Sequence, residues 1–468
     1  MPDARTWQVV AGSAAVGLTV SFAAVAVAGP WESGQRTAER AAAASRGHQP
    51  DGRTVPGSRP GPAAEAAAPP AARVLTAPAT DPATLPTQQA LAARLAPLLR
   101  DPALGPLRTG AVIDAATGKL LYGSGAATPS VPASTIKIAT AAAALSVLGP
   151  DHRISTTVLA TGPHTTVLVG GGDPTLTAAA LRTLADDTAR ALTARGTTAT
   201  SLGYDLSLYS GPVQHPIGRN ENIAPVTSLM LNEGRLDTSD HGPADRSTDP
   251  AADTATTFAK LLRARGIKVT GTPAGTPGAA AGTRLATAAS VPLSALVERM
   301  LTNSDNDIAE ALARQTAIAA HLPASFSGAQ QAVTAALGRL GLPLAGAKFT
   351  DGSGLNRADA LSAEQLARLL ALAASPRHPQ LRPILTGLPV AGFSGTLSDR
   401  FRGGPASGAG LIRAKTGTLT GVNAITGTVV AADGRLLTFA FLTQGTTSAT
   451  AAQSALDRLA SALAACGC

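Results

Sequence analysis

Hydrophobic and polar positions alternate in different ways along this chain. Residues 8–29, QVVAGSAAVGLTVSFAAVAVAG, form one uncharged apolar run, preceded by Arg5 and closed by small residues. Ala26-Val27-Ala28 resembles a signal-peptidase site, and the run is nearly long enough to cross a bilayer. Residues 1–29 therefore read as a signal peptide or membrane anchor, with the rest of the chain exported. Residues 30–84 carry Pro, Ala, Gly and Arg without periodicity. They hold too few large apolar side chains to offset the entropy of folding, which predicts a disordered linker.

Regular patterning starts near Leu85. Over 87–99, TQQALAARLAPLL spaces its leucines along one helix face. GAVIDAATGKLL, over 110–121, reads as strand, turn at Ala116-Thr117-Gly118, and strand. A helix is predicted from about Ser134 to Leu148. Residues 151–290 mix short strands (154–159, 166–169) with helical stretches (178–195, 253–265) and read as a separate inserted α+β domain. It interrupts a discontinuous body formed by 85–150 and 291–468. Helical spacing returns over 292–317 and 361–374. Strands are predicted at 411–416, 424–431 and 436–443, the last two joined by the hairpin signal Ala432-Asp433-Gly434. A terminal helix follows over 450–464.

Composition narrows the class. Only 3% of residues are aromatic against 44% hydrophobic, so the core must be built from Ala, Leu, Val and Ile. The net charge of +8 comes from scattered arginines that are not interleaved with aromatics, which argues against a nucleic-acid interface. A basic surface suits a polyanionic cell envelope. The seven histidines show no His-Glu-x-x-His spacing and no metal-ligand cluster is apparent, so neither a metal nor an organic cofactor is expected. Cys466 and Cys468 lie in the tail, where a bridge between them would close a small, strained ring; a tail disulfide or a lipid-modified anchor are the uses considered.

Lysine is scarce, with Lys119, Lys137, Lys260, Lys268, Lys348 and Lys415 only, and two of these fall in short ordered motifs. Ser134-Thr135-Ile136-Lys137 comes first, Ser304-Asp305-Asn306 second and Lys415-Thr416-Gly417 third, the set used by serine acyl-enzymes that react with β-lactams. On a helix, residues three apart share a face, so the Lys137 amine can approach the Ser134 hydroxyl. A serine hydroxyl needs an adjacent base, and a lysine is one only when burial or a nearby cation lowers its pKa. Lys415 is the candidate cation. In the turn of the second motif, Ser304 is placed to relay a proton to the leaving amine. Asn306 would hold Lys137 and bind a substrate amide, while Asp305 points elsewhere. On the third motif's strand, Lys415 and Thr416 suit a substrate carboxylate, and Gly417 lets a peptide backbone come close. The N–H groups of Ser134 and Thr418 would form an oxyanion hole.

Further segments carry a family resemblance. Pro132-Ala133-Ser134-Thr135, Gly170-Gly171-Gly172-Asp173-Pro174-Thr175-Leu176, Asp351-Gly352-Ser353-Gly354-Leu355 and Gly395-Thr396-Leu397 join Lys415-Thr416-Gly417-Thr418-Leu419. Together they resemble the low-molecular-mass class C penicillin-binding proteins, the D-alanyl-D-alanine carboxypeptidases and endopeptidases, over about residues 88–464. The resemblance implies an α/β, transpeptidase/β-lactamase-like catalytic domain: an antiparallel sheet flanked by helices, with a domain inserted between the first two motifs. It implies peptidoglycan stem peptides as substrates and β-lactams as inhibitors. The segment between those motifs is short for the family. Two rival readings compete. A β-lactamase or related esterase lacks support, since no Glu-x-x-Leu-Asn segment lies between Asn306 and Lys415. A catalytically silent wall scaffold or sensor is opposed by the intact motifs.

Overall fold

Alternation across a β-pleat sends successive side chains to opposite faces, and this places the first sheet between two apolar layers. The computed structural model describes residues 87–276, 278, 282–402 and 408–466. The anchor and linker expected at 1–84, together with Cys468, lie outside them. Strands β1 (Leu107–Asp114), β2 (Leu120–Ser124), β10 (Ile412–Leu419), β11 (Val422–Val430) and β12 (Leu436–Gln444) pair antiparallel in the order β10-β11-β12-β1-β2. On one face Ala111, Ile113, Ala424, Ala440 and Leu442 join one apolar cluster. On the other, Val112, Ile425, Phe439 and Phe441 join a second cluster with helices α1 (Gln88–Leu99) and α10 (Ala449–Ala464). Cys466 is buried in that second cluster.

The turns follow their predicted chemistry. Asp114 Oδ1 accepts from the Thr117 N–H and hydroxyl at 2.7 and 2.6 Å, closing the β1–β2 connection. Gly434, at φ 82°, closes the β11–β12 hairpin.

Helix α2 (Lys137–Leu148) runs behind the sheet and is buried from Lys137 to Leu145. Alanines at 139 and 141–144 keep it thin, so α5 (Leu293–Asn303), α6 (Asn306–Ala319) and α8 (Ala363–Ala374) pack closely around it. The helix expected from Ser134 starts three residues later, after a 3-10 turn over Ala133–Ile136. The helical stretch over 292–317 is parted into two helices at the second motif, which was expected to be an inter-helix turn. Ser304 breaks it at φ 62°, and Asp305 caps α6 by accepting from Ile308 N at 2.9 Å. Two further helices, α7 (Phe326–Arg339) and α9 (Arg382–Gly387), had no sequence signal. The inner face of α7 is largely Gly328, Ala329, Ala332 and Ala336, too small to mark a hydrophobic stripe.

Between the first two motifs the chain builds a second sheet. Strands β3 (Ser155–Gly162), β4 (Thr165–Val169), β6 (Ala199–Asp205), β8 (Lys268–Gly275) and β9 (Thr283–Ala289) lie in the order β8-β6-β4-β3-β9. β4–β6 and β6–β8 are parallel, while β3–β4 and β3–β9 are antiparallel. Helices α3 (Ala178–Ala194) and α4 (Pro250–Arg263) cover it through Leu181, Leu184, Phe258 and Leu262. A short parallel pair, β5 (Asp173–Leu176) and β7 (Leu229–Leu231), stands apart from that sheet.

Candidate active site

The first motif begins on a strained residue. Ala133 has φ 46°, in the left-handed region, immediately before Ser134. Such a conformation costs about 1–3 kcal/mol and persists only where surroundings enforce it. Here two glycines do so. A Cβ on Gly354 would lie 2.1 Å from the Ala133 carbonyl oxygen, and one on Gly417 would lie 2.7 Å from that of Pro132. The Thr135 hydroxyl also donates to Pro132 O at 2.7 Å. The backbone that approaches Gly417 is therefore the chain's own serine turn.

Lys137 follows at the start of α2. Its Nζ contacts Ser134 Oγ at 3.0 Å, Asn306 Oδ1 at 2.7 Å and the Ser353 carbonyl at 2.6 Å. Burial pulls its pKa down to about 8, against the opposing pull of Asp351, Asp305, Glu310 and Asp307. Of the two causes the sequence offered, burial and a nearby cation, burial is the main one. Lys415 is itself fully buried and lowered well below the usual lysine range, first by burial and then by Lys137.

The second motif reaches the cleft from the α5–α6 junction. Asn306 Nδ2 donates to the Asn222 carbonyl at 2.9 Å. A carbonyl can only accept, so the amide orientation is fixed and Oδ1 must face Lys137. Asp305 caps α6 and, although expected to point elsewhere, also lines the cleft.

The third motif lies on β10. Lys415 Nζ donates to Thr416 O at 2.8 Å, beneath the surface. The Thr416 hydroxyl donates to Thr396 Oγ1 at 3.0 Å. A cleft of about 540 Å³ is lined by Ser134, Ser304, Asn306, Thr416 and Thr418, with Asn222, Leu355 and Thr396 among its other walls. Lys137, Lys415 and Gly417 lie behind that lining. The strand site expected to expose Lys415 instead presents threonine hydroxyls over a buried amine.

Several participants had no sequence signal. Asn222 and the cleft-lining Arg235 and Arg246 come from the stretch of the insert between β6 and α4. Arg246 pairs with Asp307 at 2.9 Å, and Asp307 also accepts from Ala224 N at 3.0 Å. Asp351 and Glu310 organise the loop bearing Ser353. Among the described residues, His215, Glu310 and Asp351 form one group with metal-ligand spacing, and Glu233, Asp305 and Asp307 form another. Their carboxylate oxygens already pair with Arg314, Arg235, Arg246 or Arg299 or accept from backbone amides.

The sequence profile of the D-Ala-D-Ala carboxypeptidase 3 (S13) family matches residues 91–243 and 241–465. A carboxypeptidase, DacB, of Mycolicibacterium smegmatis is 40% identical over 404 residues, covering 82% of this chain and 86% of that protein. A D-alanyl-D-alanine carboxypeptidase of an Actinomadura species is 30% identical, covering 72% and 78%. Among solved structures, penicillin binding protein 4 (dacB) of Haemophilus influenzae superimposes with a TM-score of 0.66 at 21% identity, covering 80% of this chain and 98% of that one. A second structure of that protein is complexed with a β-lactam. At this identity the likeness speaks for the fold.

Proposed function

Since the chain belongs to the D-Ala-D-Ala carboxypeptidase 3 (S13) family, we propose that the cleft at Ser134 is where it performs that family's reaction. The protein is a serine-type D-Ala-D-Ala carboxypeptidase acting on peptidoglycan stem peptides. In our account, Ser134 Oγ attacks the carbonyl carbon of the penultimate D-alanine as its proton passes to neutral Lys137. The carbonyl–nitrogen bond then breaks. The proton reaches the departing amine through Ser304, and water hydrolyses the ester. The N–H groups of Ser134 and Thr418 stabilise the oxyanion, a contribution of several kcal/mol in comparable sites. Asn306 holds Lys137, and Thr416 and Thr418, over the buried Lys415 amine, receive the terminal carboxylate. Residues 85–150 and 291–468 serve as the catalytic body, with 151–290 as an insert that walls the cleft.

The observation that carries this assignment is the buried Lys137 amine at 3.0 Å from Ser134 Oγ. Mass spectrometry after treatment with benzylpenicillin tests it. One covalent adduct on the peptide containing Ser134, abolished by Ser134→Ala, is expected; an adduct elsewhere, or none, overturns the assignment.

By the same proposal the enzyme works outside the cytoplasmic membrane, tethered or released. The apolar run at 8–29 and the Pro/Ala-rich stretch after it support that location. Among the described residues no helix is long and apolar enough to cross a membrane. A linker of that length reaches tens of ångströms as a random coil, enough to sample nearby wall. Fractionation checks this, and the full-length chain in the cytosol would contradict it. Activity is expected to survive a chelator, because side chains and backbone N–H groups supply every step.

A further inference from the structure

A neutral lysine amine carries two N–H bonds and one lone pair. The Lys137 nitrogen has three close oxygens, and two of them can only accept: Asn306 Oδ1 at 2.7 Å and the Ser353 carbonyl at 2.6 Å. The third and longest contact, Ser134 Oγ at 3.0 Å, is the one group able to donate. Both N–H bonds are therefore committed, and the lone pair is left for the serine proton. Without the Ser353 carbonyl, one N–H would be free to point at Ser134 Oγ. The hydrogen bond would then run the wrong way for a base.

The Ser353 carbonyl is fixed by its loop, and the loop is fixed from α6. Glu310 lies four residues after Asn306, one turn along the same helix. Its Oε1 accepts from Gly352 N and Ser353 N, both at 3.0 Å. Its Oε2 pairs with Arg314 at 3.1 Å, and the side chain is buried. From the other side, Asp351 Oδ1 accepts from Gly354 N at 2.6 Å, and the Thr140 hydroxyl donates to Gly352 O at 2.7 Å. A Cβ on Gly352 would stand 2.7 Å from Ala309 O, so the loop lies directly against α6. One rigid helix thus carries both acceptors of Lys137, Asn306 directly and Ser353 through Glu310.

We propose that Glu310 is a positioning residue for acylation, holding the Ser353 carbonyl so that the Lys137 lone pair faces Ser134. This rests on the assignment of Ser134 and Lys137 as nucleophile and base. Glu310 also places a negative charge near Lys137. The titratable groups around Lys137 are Lys415, Asp305, Asp307, Asp351 and Glu310, and the groups around Glu310 are Asp351, Arg314 and His215. Losing the Glu310 charge lowers the Lys137 pKa further, because Glu310 is one of the groups raising it.

The test is acylation by benzylpenicillin measured against pH and against penicillin concentration, so that the limiting rate and the affinity are obtained separately. Glu310→Ala is expected to lower the limiting rate about 10- to 100-fold, the effect of sub-ångström misplacement, with binding unchanged. Glu310→Gln, which keeps an oxygen acceptor, should recover most of that rate, with its acid limb moved to lower pH. That limb reports only the lost charge; the readout a purely structural role would not give is the recovery of rate in Glu310→Gln against its loss in Glu310→Ala at unchanged binding. A folded Glu310→Ala enzyme with the wild-type rate, a loss confined to binding, or a Glu310→Gln rate no better than that of Glu310→Ala overturns the proposal. If Glu310→Ala does not fold, Glu310→Asp decides, since it keeps the charge but its shorter side chain withdraws the oxygen from Gly352 N and Ser353 N. A fall in its limiting rate with unchanged binding supports the proposal, and a wild-type rate overturns it. A wild-type protein that takes no label at Ser134 overturns the nucleophile assignment as well, whereas labelled wild type with indifferent variants overturns this proposal alone.

Discussion

A Cβ on Gly354 would stand 2.1 Å from the carbonyl oxygen of Ala133, so the loop after the second motif touches the residue that aims the nucleophile. Gly354 is at φ 83° and Ala133 at φ 46°, two left-handed residues back to back. Gly354→Ala should cost stability twice, through its own backbone conformation and through a clash with immobile backbone. A loss of at least about 2 kcal/mol is expected, with slower acylation, because Ala133 and Ser134 must shift. Gly118→Ala is the control. It is at φ 71° with nothing within 4 Å of the added Cβ. It should lose only about 1–2 kcal/mol and acylate normally. Chemical denaturation and penicillin labelling measure both, and equal effects in the two variants would refute the link between loop and nucleophile.

The pH dependence of acylation should follow Lys137. Burial lowers its pKa to about 8, and only the neutral amine can take the serine proton. The rate is therefore expected to rise with pH through about 8 and level off above it. Lys137→Arg keeps the charge but stays protonated throughout, so acylation should fall by roughly three orders of magnitude or more and lose that limb. A rate flat between pH 6 and 9 in the wild type would remove Lys137 from the role of base.

Selectivity for a free carboxylate should depend on surface hydroxyls over a buried amine. Thr416 lines the cleft and is oriented by Thr396, while Lys415 lies beneath. A hydrogen bond to a charged group contributes about 1.5–3 kcal/mol. Thr416→Val should thus lower kcat/KM on a free-acid peptide by about 10- to 100-fold, and by much less on its C-terminal amide. Equal losses on both peptides would mean that Thr416 acts on cleft shape alone.

That the three motifs would meet was legible because each sets its polar groups within three or four adjacent positions. Ser134 and Lys137 share one helical turn, and Ser304 to Asn306 one junction, so local geometry was enough. The sheet of β1, β2 and β10–β12 was legible for a related reason: alternation and turn residues are local. Asn222 was not, because its contribution is a backbone carbonyl, which no residue type advertises. Glu310 reads as one more buried-face residue of an amphipathic helix until the loop at 352–353 is folded against it. The insert's β6, β8 and β9 went unread because their threonines, glycines and alanines alternate weakly. The burial of Lys415 was missed because a strand pattern shows which residues share a face but not what later covers it.

The contact between Arg246 and Asp307 ties the insert to the second motif, and it should behave as a coupled pair. The two side chains lie 2.9 Å apart and are almost wholly buried. Asp307 directly follows Asn306 and also binds Ala224 N, two residues beyond the Asn222 carbonyl that holds the Asn306 amide. Burial nevertheless lifts the Asp307 carboxyl to about 7 against the opposing pull of Arg246. The attraction therefore does not recover the full desolvation, a balance common to buried ion pairs. Removing one partner leaves the other charge buried and unpaired, so Arg246→Met should lose about 3–5 kcal/mol, while Arg246→Met with Asp307→Asn should lose less than the sum of the two single changes. Acylation should slow in each single variant, since the Asn222–Asn306 contact loosens. Denaturant titration of the four proteins measures the coupling. Strictly additive losses, or single variants that acylate like wild type, would show that the insert is not needed to hold Asn306 in place.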